Sequence, residues 1–143
     1  MVKLPRIVID TNVFVAALRS QRGAAFKLLS LVGTGQFEVT ISVPLILEYE
    51  DAAKRDLRGT ALTRRDVDDI LDYLCSVADR RTIFFLWRPF LKDPKDDLVL
   101  ELAVEADCDF IVTYNKRDFA GAERFGVRVA TAKEFLEARG LLR

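Results

Sequence analysis

The chain contains no histidine, and that absence removes more chemistry than any other feature of its composition. Histidine general bases, Ser-His-Asp triads and the usual zinc sites are excluded together. Polar chemistry must then be run by carboxylates, hydroxyls or lysines, and a bound metal must be a hard cation held by oxygen. Net charge is missing too, with 22 basic residues against 22 acidic ones. Composition therefore gives no sign of a nucleic-acid binder, while leaving room for a local separation of charge. The only two cysteines, Cys75 and Cys108, lack metal-ligand spacing and are expected to be reduced thiols. No apolar run approaches the ~20 residues needed to span a bilayer. The opening Met1 to Pro5 leads straight into an apolar strand, without the longer core of a signal peptide. A cytoplasmic protein with no membrane partner is the expectation.

What is present is an ordinary globular composition of 143 residues, half of them apolar. A chain of this length buries roughly 68–70% of its unfolded surface, so one domain over 1–143 needs no staple. Arg6 to Ile9 reads as a buried strand that stops at the polar residues Asp10-Thr-Asn12. Helices are expected over Val13 to Leu18 and Ala24 to Val32, then a strand over Phe37 to Ile41. Ser42-Val-Pro44 opens a helix running to about Leu57. Thr63 and Asp66 cap another, whose stripe is Val67, Ile70, Leu71 and Leu74. A third strand is expected over Arg81 to Trp87. Trp87, Phe90 and Leu91 carry its hydrophobic character into the following loop, as core or dimer contacts rather than a base-stacking platform. Asp93-Pro94 starts a helix that is apolar on nearly every side from Leu98 to Val104, which requires burial. Phe110 to Thr113 and Gly126 to Val129 complete the strands, with a short helical segment near Ala120 to Arg124 between them. Thr131 and Glu134 form a capping box for the last helix. This alternation specifies an α/β domain, a three-layer α/β/α sandwich around a parallel sheet of four to five strands.

In such a sheet the C-terminal ends of strands and the N-termini of the following helices share one edge, where ligands bind. Asp10, Glu48, Asp96 with Asp97, and Asp118 all fall there. Each has a plainer reading on its own. Asp10 suits a helix cap, Asp93 and Asp96 suit a cap and a dipole-favoured first-turn acid, Asp118 suits a turn, and Glu48 suits a solvated surface. Glu48 is preferred over Glu50 only because it sits about 3 Å nearer the helix start. Together they describe carboxylates that repel one another unless protonated or bound to cations, the mark of a metal site or catalytic pair. Without histidine the natural occupant is Mg²⁺ or Mn²⁺, positioning water on a phosphodiester. Arg19, Arg22 and Lys27, close in sequence to the first cleft loop, are candidate basic partners or merely solvated charges.

Ile-Asp10-Thr-Asn12-Val, Asp93-Pro-Lys-Asp96-Asp97 and Ile-Val-Thr113-Tyr-Asn115-Lys-Arg-Asp118-Phe119 resemble the successive motifs of PIN-domain nucleases, in order along essentially the whole chain. The likeness is strongest to toxin components of prokaryotic type II toxin–antitoxin (VapC-like) pairs. The resemblance implies a Rossmann-like sandwich and metal-dependent RNA cleavage, often by a homodimer held inactive by a small antitoxin protein. It assigns Asp10, Glu48 and Asp96 as the first three acids, with Asp97 as the alternative to Asp96. Many members carry aspartate where Asn115 stands, so in this chain Asp118 is expected to supply the fourth charge. Asp10, Asp96 and Asp118 would hold metal, while Asn12 and Thr113 orient ligands or water. The alternative is a PIN-like module that binds RNA or protein without cleaving, favoured by Asn115 and the neutral balance. A phosphotransfer domain of the haloacid dehalogenase type would want an aspartate two residues after Asp10, where Asn12 stands.

Overall fold

The computed structural model describes residues 3–83 and 90–142. Its centre is a five-stranded sheet in which every neighbouring pair is parallel. The strands are β1 (Arg6–Ile9), β2 (Glu38–Ile41), β3 (Asp79–Arg80), β4 (Phe110–Val112) and β5 (Arg128–Ala130), in the order β3-β2-β1-β4-β5. The described residues contain six α-helices: α1 (Thr11–Arg19), α2 (Ala24–Ser30), α3 (Val43–Arg55), α4 (Arg64–Val77), α5 (Pro94–Glu105) and α6 (Ala132–Ala138). Crossovers from β1 through α4 run one way along the sheet and those from β3 to β5 run the other. Right-handed connection therefore assigns α1–α4 to one face and α5 to the other.

The reversal falls between β1 and β4, whose chains leave in opposite directions. That is the switch point where a parallel sheet opens a crevice beyond its strand ends. The sheet is pinned there by Asp10 N–H donating to the Val112 carbonyl at 2.9 Å, and Thr113 N–H donating to the Ala130 carbonyl at 2.9 Å. Ile7, Val8, Ile111 and Val112 are fully buried beneath it, as run-on apolar strands covered on both faces should be.

Local chemistry sets the helix starts. Ser42 caps α3 with Pro44 in its first turn, Asp93 caps α5 ahead of Pro94, and Thr63 and Thr131 each complete a reciprocal capping box. Val67, Leu71 and Leu74 of α4 are buried within the chain itself. These three serve the chain's own core, while Ile70 of the same stripe is half-buried and lines an open groove.

One expectation needs correction. The third strand lies at Asp79–Arg80, earlier than Arg81 to Trp87; Arg81 to Ile83 have no regular structure. Its pairing with Thr40 and Ile41 uses up β2, whose last carbonyl accepts from Arg81 N–H at 2.9 Å. The 84–87 portion of the expected strand lies outside the described residues. The short helical segment expected near Ala120 to Arg124 is a 3₁₀ helix, Ala122–Phe125, preceded by another at Lys116–Phe119. Gly121 at φ 98° separates them.

Candidate active site

Asp10 is both a helix cap and a crevice acid. One carboxylate oxygen accepts from Thr11 N–H at 2.9 Å, starting α1, while the other accepts from the Thr113 hydroxyl at 2.7 Å. The two readings of Asp10 were never exclusive, since a carboxylate has two oxygens. Thr113 closes a small network: its oxygen accepts from Asn115 N–H at 3.1 Å and from the Asn12 amide at 3.4 Å. The Asn12 side-chain carbonyl in turn accepts from Tyr114 N–H at 3.4 Å. These bonds tie the loop after β1 to the loop after β4, across the switch point.

Glu48 comes from the second turn of α3, and its neighbour Tyr49 fixes it. Tyr49 is fully buried, stacks on Phe14 at 4.5 Å between centroids, and donates its hydroxyl to the carbonyl of Ile9. Burial, with Asp10 and Glu48 nearby, holds that phenol well above its ordinary range. This anchor was not read from the sequence, although an aromatic beside a candidate acid on an amphipathic helix was the available signal. Glu50 turns the other way, pairing with Lys54 at 2.9 Å.

Asp96 and Asp97 separate cleanly. Asp97 is buried and one of its oxygens accepts from Phe90 N–H at 3.2 Å and Leu91 N–H at 2.9 Å, fastening the preceding loop. Asp96 faces the crevice. Asp10, Thr11, Asn12, Glu48, Asp93, Asp96, Asn115 and Asp118 all line one open cleft of about 480 Å³, joined by Arg55 and Lys95. Arg19 lies elsewhere: its guanidinium donates to the Asp56 carbonyl, and it lines an apolar groove between α1, α2 and α4. Arg22 and Lys27 do not line the acid cleft either. Arg55 is already paired with Asp51.

The electrostatics report the convergence. Asp96 is pushed up from 3.8 to about 7, first by burial and then by Asp10, Asp93, Asp118 and Glu48. It sits in the first turn of α5, where the helix dipole favours a carboxylate by about 0.3–1 kcal/mol. A shift of this size outweighs that. Asp10 is also raised, by burial first, against the opposing bonds from Thr113 and Thr11, with Asp118 and Asp93 adding to the rise. Glu48 is raised by burial, with Lys95 opposing. The Thr11 hydroxyl also favours the Glu48 carboxylate, yet falls short of hydrogen-bond geometry and is buried with no partner. The sequence reading missed Thr11, whose signal was its position between Asp10 and Asn12 at the strand end.

This is an acidic crevice at the switch point of a parallel sheet in an α/β domain. A PIN-domain family model matches residues 6–117, and the chain belongs to the PIN-domain family, whose members are generally nucleases that use divalent metal ions. The match ends one residue before Asp118. No curated protein matches the chain. Among the described residues, no three acidic side chains stand close enough to grip one ion as placed. The donor chemistry fits such an ion nonetheless. The groups are carboxylate oxygens that raise one another's pKa, beside an orphaned buried hydroxyl, with no histidine or nearby thiolate to favour a softer metal. Cys75 and Cys108 are both free. Among the described residues no helix is long and apolar enough to cross a membrane.

Proposed function

We propose that the chain is a Mg²⁺- or Mn²⁺-dependent endoribonuclease, acting as the toxin of a type II toxin–antitoxin pair. The observation that carries the reading is the convergence of Asp96 with Asp10, Glu48 and Asp118, from three other segments, on one cleft, where burial and these acids raise Asp96 to about 7. Asp10, Asp96 and Asp118 would hold the cation, which when bound supplies a Lewis acid for a phosphodiester and its attacking water. Thr113 holds the Asp10 carboxylate at a fixed angle, and Asn12 and Asn115 hold Thr113. Glu48, with its proton affinity raised, stands across the crevice to accept a proton from water. Lys95 balances part of the acidic charge.

The toxin role, a small antitoxin partner and a homodimer follow the resemblance of the three motifs. The open groove of about 680 Å³ lined by Leu18, Phe26, Leu29, Ile70 and Tyr73 is compatible with a protein partner. The test of the activity is cleavage of RNA by the purified chain with Mn²⁺. Cleavage that stops with EDTA and with Asp10→Asn is expected; cleavage indifferent to both would defeat the reading. A module that binds RNA or protein without cleaving is favoured by one observation: among the described residues, no three acidic side chains stand close enough to grip one ion. It predicts no Mn²⁺ binding and no cleavage.

A further inference from the structure

Beside the acid crevice, and sharing Asp93, Asp96 and Asp118 with it, lies a second open cleft of about 590 Å³. Its other walls are unlike those of the crevice: Phe90, Leu91 and Ala120 are apolar, and Lys92 and Arg117 are cationic. The volume is within the range that encloses a small organic ligand such as a nucleotide.

Phe90 is 39% exposed, yet it is held in place by three separate devices. The Asp97 carboxylate accepts its N–H and that of Leu91. Its ring meets Phe125 edge-on, at 5.2 Å and 82°. Gly121 lies under the ring with φ 98°, and a Cβ there would come within 2.9 Å of Phe90 Cζ. Glycine is thus needed twice, for the backbone and for the ring's seat. The two cations are equally notable. Lys92 and Arg117 are exposed, and among the described residues their side chains make no ion pair or hydrogen bond. The neighbouring Lys116, by contrast, is paired with Glu134 at 2.9 Å.

A fixed, part-exposed aromatic beside two cations that are unpaired among the described residues, bordering the acid crevice, has the parts of a single-strand binding platform. We propose that this cleft is a subsite for the nucleotide of single-stranded RNA next to the scissile phosphate. Phe90 stacks on the base, while Lys92 and Arg117 meet the flanking phosphates. The inference rests on the ribonuclease reading of the acid crevice. It offers Phe90, which is 39% exposed, a different role from the expected core or dimer contact, whereas Leu91 does pack against the core.

The test is fluorescence anisotropy of a labelled single-stranded RNA oligomer on the full chain carrying Asp10→Asn, which prevents turnover. Phe90→Ala and Phe90→Leu are expected to weaken binding roughly 5- to 100-fold, and Phe90→Trp to restore it. An oligomer with abasic positions should bind the Phe90 and Leu variants alike. Lys92→Gln and Arg117→Gln should each reduce the slope of log affinity against log salt by about 0.7. Unchanged affinity in Phe90→Leu, or an equal loss for the abasic oligomer, overturns the proposal. So does a change of oligomeric state without a change in RNA affinity. Should both Phe90 truncations unfold, the two salt slopes decide. The two readings fail separately: absent cleavage with Phe90-dependent binding removes the nuclease, while cleavage with Phe90-independent binding removes the subsite.

Discussion

Replacing Asp96 by asparagine should make the metal-free protein more stable. In the folded chain this carboxyl ionises near 7, against an ordinary value of 3.8. Between those values the folded state keeps a proton that the unfolded state has lost, so stability falls as pH rises through the window. Above about pH 7 the whole penalty is present; below about pH 4 it is gone. At full value a shift of this kind costs about 4 kcal/mol. Asp96 is only partly buried, so solvent screening reduces the cost to about 1–2 kcal/mol. For a chain of this size that is a gain in Tm of about 3–8 °C for Asp96→Asn. Thermal melts followed by circular dichroism in EDTA, at acid and at mildly alkaline pH, measure it. The gain should be greatest at alkaline pH and fade towards acid. Added Mg²⁺ should raise the wild-type Tm and leave the variant's unmoved, because a ligand stabilises only the state that binds it. A variant less stable than wild type at alkaline pH, or a gain independent of pH, would refute the reasoning.

Three further outcomes are expected. Thr113→Val removes the 2.7 Å bond to Asp10 and strands the Asn115 N–H, costing about 1–3 kcal/mol in urea unfolding. The loss should be larger at neutral than at acid pH, since the bond favours the charged form of Asp10. Asp97→Ala releases two loop N–H groups and should destabilise by about 1–3 kcal/mol. Mn²⁺ titration of the same variant should remain close to wild type, which separates Asp97 from Asp96. Asn115→Asp adds an acid to the crevice, so in paired melts it should lower the metal-free Tm and enlarge the rise produced by Mg²⁺.

The fold was legible wherever pattern and punctuation agreed. The strands at Arg6–Ile9 and Glu38–Ile41 are short β-branched runs with polar ends. The capping boxes at Thr63 and Thr131 mark helix starts to the residue. The third strand was not legible, because a two-residue strand is chosen by pairing with β2 and not by its own side chains. For the site, sequence position alone could bring Asp10, Glu48, Asp96 and Asp118 to one sheet edge, since topology fixes that edge. It could not orient neighbouring side chains. Asp96 and Asp97 differ by one helical step of about 100°, and the deciding fact is two loop N–H groups waiting for Asp97. The two readings of Arg19 could not be separated for the same reason; its long side chain reaches a carbonyl at the end of α3. Thr11 and Tyr49 carried only a positional signal, because their roles depend on Glu48 and Ile9, each about forty residues away in sequence.

The central claim is that acids from separate segments converge to bind one class of cation. Electron paramagnetic resonance of Mn²⁺ titrated with the purified chain tests it most directly, because the aqueous signal disappears as the ion is bound. The wild-type chain should remove that signal, Asp97→Asn should do the same, and Asp10→Asn and Asp96→Asn should leave most of it. A wild-type chain that leaves the aqueous signal intact, or equal binding by all four proteins, would contradict the account.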